Sequence, residues 1–161
     1  MSLVGYREAM RDSVQILLPD NQQISIVSLA ALALLKLFAW RDRRKRSPGK
    51  DAQDLAAVLE NYLEAGNDDR LYGEFAHLLD FPDYDYIAAG AWILGADMRL
   101  LLQGDVNVIA LDEVTRLLEP QVDPDGPLHL AADMGPAKVE ASLKLLSALL
   151  AGLKGSASPW T

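Results

Sequence analysis

Lys36 is the only charged side chain in the apolar run from Leu29 to Trp40, and Arg41 and Arg43 follow directly. At 100° per residue, Lys36 and Arg43 fall about 20° apart on one helix face, two turns or roughly 10 Å along the axis, with Trp40 between them. A cationic stripe of that kind suits an extended polyanion. The same spacing also suits a lysine that snorkels its ammonium out of a buried helix, ahead of a solvated arginine run that complements the macrodipole at the helix end.

The next segment opens with Lys50, Asp51, Ala52, Gln53, Asp54 and Leu55. On a helix, Asp51 projects within about 40° of Leu55, Val58 and Tyr62, so it sits on the inward, apolar face, with Asp54 about 60° to one side. A carboxylate held inward needs a partner, and the cations of the preceding helix are the nearest candidates. An aspartate in a first turn also offsets the helix dipole and caps free N–H groups, and the two roles are compatible.

Other groupings carry less. His77 and His129 have no ligand spacing around them, so a histidine-based metal site is not expected. Asp83 and Asp85 form a D-x-D pair, but they follow Phe81 and Pro82 as a helix start, where acidic caps are ordinary. Asp123, Pro124 and Asp125 have turn composition. No G-x-S-x-G elbow, G-x-x-x-x-G-K-[ST] loop or G-x-G-x-x-G turn is present. The absence of cysteine rules out a disulfide framework, a thiolate zinc site and a cysteine nucleophile, and makes a reducing cytoplasm the expected compartment.

The elements that must position these residues follow from patterning. A chain of 161 residues, half of them apolar, suffices for one packed domain or a domain with a small appendage. Its net charge of −8 repels a phosphate backbone, so any nucleic-acid role would be local. The longest apolar run has 12 residues and is interrupted by Lys36, well short of the roughly 20 that span a bilayer, so no membrane partner is expected. A short helix is expected over 6–11. The β-branched and apolar content of Ser13 to Leu18 and the alternation in Ile24 to Val27, around the turn residues Pro19 to Asn21, predict a β-hairpin. Helices are expected over 29–44 with Ser28 as cap, 51–64, 68–79, 84–103, 108–118 and 136–153. Gly90 and Gly95 make the 84–103 helix central. The stretch 119–127 is turn-rich, and residues 155–161 read as a frayed tail. The fold class is α+β and mostly helical, a short hairpin followed by about six helices.

As a string, Val27 to Arg43 followed by Lys50 to Leu55 resembles bacterial nucleotidyltransferases of the AbiEii toxin type. In these a strand leads into a helix of form K-x-x-A-x-x-x-R, met here by Lys36, Ala39 and Arg43. A K/R-D-x-x-D-L pattern follows, met by Lys50, Asp51, Asp54 and Leu55. Gly5 to Glu8 and Gly90 to Asp97 also resemble the family, so the likeness runs from about Val4 to Asp97. It implies that Lys36 with Arg41 or Arg43, flanked by Asp54, contacts the triphosphate of a nucleotide. It further implies that Asp51 is the catalytic-site carboxylate, ordering the basic group or the acceptor. The implied reaction moves a nucleoside monophosphate from an NTP to an RNA, protein or small-molecule acceptor, with Mg²⁺ and NTP as cofactors and a toxin–antitoxin setting.

The Gly-Ser loop and D-x-D strand pair that ligate Mg²⁺ in that family are not found ahead of the hairpin, where Gly155-Ser156 in the tail is the sole Gly-Ser. The resemblance thus makes this chain a C-terminal portion, inactive alone and binding no metal of its own. Residues 1–103 would complete the nucleotidyltransferase-like domain, 104–154 would form a helical extension packed on it, and 155–161 the tail. The hairpin would join a larger nucleotidyltransferase-like sheet. Expected partners are the missing N-terminal catalytic half or an antitoxin, and a second copy pairing through the exposed strand edge. Whether the cations of 41–46 meet nucleic acid, a nucleotide or water is left open by their spacing. A non-enzymatic helical interaction module is the competing function class.

Overall fold

The structure, a computed structural model, describes residues 13–103, 108–120 and 125–158, so the helix expected over 6–11 lies outside the described residues. Strands β1 (Ser13–Leu17) and β2 (Gln23–Val27) pair antiparallel, with Ile16 opposite Ile24 and Val14 opposite Ile26. The connection closes on Leu18, whose N–H donates to the Gln22 carbonyl at 2.8 Å, and Asn21 takes the left-handed conformation (φ 62°) that asparagine tolerates in turns. Among the described residues these two strands are the whole sheet. Ile16, Leu17, Ile24 and Ile26 are exposed on it.

Among the described residues, seven α-helices follow. Helix α1 (Leu29–Arg43) starts where the Ser28 hydroxyl accepts from the Ala31 N–H. Ala30, Ala31, Ala33, Leu34, Leu37, Phe38 and Trp40 are all buried, so α1 is enclosed around most of its circumference. Helix α2 (Pro48–Asn61) begins three residues earlier than the sequence suggests. Pro48 does not merely end α1 but opens α2, where its missing N–H costs nothing. Helix α3 (Asp68–Tyr72) is short, and a 3₁₀ turn at Ala76–Asp80 replaces the second half of the helix expected over 68–79.

Helix α4 (Tyr86–Leu101) is capped by Asp85, whose Oδ1 accepts from the Ala88 N–H at 2.9 Å. The D-x-D pair is therefore a helix start, as its sequence context suggests. Helix α5 (Val108–Leu118) matches its expected range. Helix α6 (Asp125–Met134) is a correction, because it begins inside the turn-rich stretch. Its proline falls in the first turn, where helices accept one, and Leu130, Ala131 and Met134 supply a buried face. A 3₁₀ turn at Pro136–Lys138 leads into α7 (Val139–Lys154). The buried face of α7 is formed by Leu145, Leu146, Ala148, Leu149, Ala151, Gly152 and Leu153, with Val139, Leu143 and Leu150 half-buried at its margin.

The tightest contact in the core is between α4 and α7. A methyl group built on Gly95 would stand 2.1 Å from the Leu149 carbonyl oxygen, and one on Gly152 would stand 1.9 Å from that of Trp92. Only glycine at both positions lets the two backbones meet. Helix α1 packs on α2, α4 and α5, and α6 bridges α2 and α7. Among the described residues no helix is long and apolar enough to cross a membrane.

Candidate functional site

Helix α1 presents Lys36 and Arg43 toward the first turns of α2, and the two helices meet through charge at this edge. Asp51, in the first turn of α2, is only 2% exposed, which places it on the inward face that its spacing to Leu55 and Val58 requires. Its carboxylate accepts from Arg43 Nη2 at 2.8 Å through Oδ1, with Oδ2 at 2.7 Å, and lies 3.4 Å from Lys36 Nζ. Lys36 makes its short bond to Asp54 Oδ2, at 2.5 Å. Asp54 follows Asp51 by three positions, so both carboxylates reach the same edge of α2.

Burial divides the four residues. Asp51 is enclosed and Lys36 is 21% exposed, whereas Asp54 and Arg43 are 46% and 54% exposed. The buried carboxylate is tolerable because cationic donors lie against both of its oxygens. The hydrogen bond to Asp54 is the main reason the Lys36 ammonium is held above its ordinary pKa, against an opposing pull from burial, with Asp51 adding to the rise.

Arg41 is not part of this group. It lies five residues beyond Lys36, about 140° around the helix. Its guanidinium donates instead to Glu113 of α5 at 2.9 Å and to its neighbour Asp42, and stacks over the Phe38 ring. Burial disfavours the charge there, but the bonds to Glu113 and Asp42 outweigh it and hold the guanidinium pKa above its usual value. Of the residues singled out in the sequence, Lys36, Arg43, Asp51 and Asp54 are brought together and Arg41 is turned away.

Several supporting contacts have no sequence signal. Trp40 is fully buried, and its indole Nε1 donates to Asp133 of α6 at 2.8 Å, while the Arg44 guanidinium covers its ring. Asp133 falls in a helix that the turn composition before it conceals. Beyond the C-terminal end of α2, Asp97 of α4 accepts from the Tyr62 hydroxyl at 2.5 Å and receives Arg70 on both oxygens at 2.8 Å. Burial, and after it the bond to Asp97, push the Tyr62 phenol above its ordinary pKa. His77 packs edge-on against Trp92 in an aromatic cluster with Phe75.

Chemically, the Lys36 group offers two cationic heads at fixed spacing on a rigid helix, braced by one buried and one exposed carboxylate. Cations so held can stabilise phosphoryl oxygens. Lys45, Arg46 and Lys50 are exposed beside them and add a local positive field in an otherwise acidic chain. A cleft of about 570 Å³ between α2 and α7, lined by Glu60, Asp85, Lys138 and Lys144 among others, includes none of these residues. Among the described residues no group of three or more His, Asp or Glu side chains could hold a metal ion. Comparison of the chain with protein-family models, curated proteins and solved structures finds no match.

Proposed function

We propose that this chain is the helical, phosphate-contacting portion of a nucleotidyltransferase-like protein. Lys36 and Arg43 receive the polyphosphate of an NTP, Asp51 sets their positions, and the nucleoside monophosphate passes to an acceptor held elsewhere. The reading is carried by one observation. A buried aspartate from α2 joins a lysine and an arginine two turns apart on a helix that is otherwise almost wholly apolar. Cations used only for solubility need no such brace, since surface ion pairs contribute little to stability. The described residues do not suit Mg²⁺, so the metal-binding carboxylates would come from a segment or partner other than those described, and no chemical step is assigned to this chain alone.

The test is a titration with pyrophosphate and with NTP at millimolar concentrations, followed by Trp fluorescence, because Trp40 lies one turn from Lys36. The expected result is a saturable change in the wild-type chain that is lost in Lys36→Ala with the fold intact by circular dichroism. A fluorescence signal indifferent to both ligands would remove the nucleotide reading.

A second reading, a non-enzymatic interaction module, is favoured by the hairpin. One of its faces presents Ile16, Ile24 and Ile26 to solvent, and both outer strand edges lack a partner among the described strands. Under the leading proposal an outer strand edge joins a nucleotidyltransferase-like sheet or a second copy of the chain. Light scattering across a concentration series distinguishes self-pairing, which should raise the mass toward a dimer, from a site reserved for another protein, which should leave a monomer.

A further inference from the structure

Asp51 and Asp54 touch the same ammonium from the same helix, yet they are held very differently. Asp51 is enclosed, with Arg43 against both its oxygens, and cannot leave without stranding a buried charge. Asp54 is nearly half exposed and is held by Lys36, at the short distance of 2.5 Å. A rotation about its own side-chain torsions would carry it into water, where a carboxylate is well solvated. The two cations and two carboxylates cancel in charge, so a polyanion approaching Lys36 meets an ammonium whose best donor direction is already taken by a carboxylate oxygen.

We propose that Asp54 is a displaceable stand-in for a phosphate oxygen on Lys36. It holds the ammonium in place while the site is empty and swings aside only for a ligand bearing enough negative charge to replace it. This inference rests on the reading of Lys36 as a phosphate contact and adds to it a specificity rule. Displacing Asp54 restores a net positive charge of one to the group and exposes Asp54 to repulsion from the incoming anion. Lys36 and Arg43 converge on the same Asp51 oxygen, so any phosphate can meet both heads, and triphosphate and pyrophosphate outcompete Asp54 better than orthophosphate because they bring more negative charge to them. The exposed Lys45, Arg46 and Lys50 draw the anion toward the group without setting that selectivity.

The experiment titrates wild type, Asp54→Asn, Asp54→Glu and Asp51→Asn with pyrophosphate and with orthophosphate at fixed ionic strength. Binding is read from amide shifts along α1 and the start of α2, with thermal melts as the fold control. Asp54→Asn should bind orthophosphate about fivefold more tightly than wild type, the equivalent of removing one exposed ion pair, and should gain less for pyrophosphate, so selectivity narrows. Asp54→Glu should keep the wild-type preference. Asp51→Asn, which loosens the brace, should weaken both ligands. If wild type binds pyrophosphate and Asp54→Asn binds either ligand equally or more weakly, Asp54 is a fixed brace and the stand-in role is wrong while the phosphate reading stands. If neither wild type nor Asp54→Asn binds either anion, both fall together.

Discussion

The two main seams of this molecule are held by opposite means. Between α4 and α7, Gly95 and Gly152 remove side chains so that carbonyl oxygens and Cα atoms of facing helices come into direct contact, and the surroundings are apolar. Between α1 and α2, a lysine and an arginine meet an enclosed aspartate, and fit depends on matched charge as well as on volume. Close backbone packing leaves no tolerance for an added atom, whereas ion pairs partly open to water can stretch, rotate and exchange partners. The glycine seam suits the part of the fold that must not move. The charged seam suits a place where a ligand could enter.

That contrast can be broken most severely at the glycines. Gly95→Ala or Gly152→Ala forces a methyl into backbone and should cost about 3 kcal/mol each in urea denaturation. Gly90→Ala, which meets the Leu63 side chain at Cγ, 3.0 Å away, rather than backbone, should cost much less. Near-equal losses at all three positions would mean that the α4–α7 contact is looser than described. Asp51→Ala should come next, at about 2 kcal/mol, because it strips an enclosed acceptor from two cations that can still turn partly to water. Trp40→Phe keeps an aromatic ring but removes the donor to Asp133 and part of a fully buried indole, and should lower stability by about 1.5 kcal/mol.

The smallest effect concerns pH. The folded state raises the Lys36 pKa, so its contribution is fully present below the ordinary lysine value of 10.5 and is lost as pH climbs through the raised one. The stability gap between wild type and Lys36→Met should therefore be widest near neutrality and shrink at pH 11 and above. A gap unchanged over that range would assign the lysine's contribution to its methylene stem.

The inward Asp51 and the shared face of Lys36 and Arg43 were legible in the sequence because helical periodicity alone fixes both, and neither depends on distant chain. The same periodicity turns Arg41 off that face, but its partner Glu113, 72 residues away on α5, has no local signal. The break at residues 73–75 was hidden for a similar reason. Leu71, Phe75 and Leu78 keep helical spacing, but Arg70 is drawn to Asp97 and stacks on Phe75, and the Arg70 carbonyl accepts from both Gly73 and Phe75. Tertiary contacts there override local preference. Helix α6 is concealed because Pro120, Pro124, Gly126 and Pro127 outweigh a four-residue apolar spacing that begins only at Leu130.

Enclosure of α1 gives the Lys36 ammonium a second kind of dependence. Its coordinates are set less by the ion pairs it makes than by a rod gripped from several directions by Leu34, Leu37 and Trp40. Evolution or an engineer could thus detune this lysine from a distance: a slightly smaller side chain on the opposite flank of the rod would let it roll by a few degrees. The charged head would then arrive off target although every residue around it was unchanged.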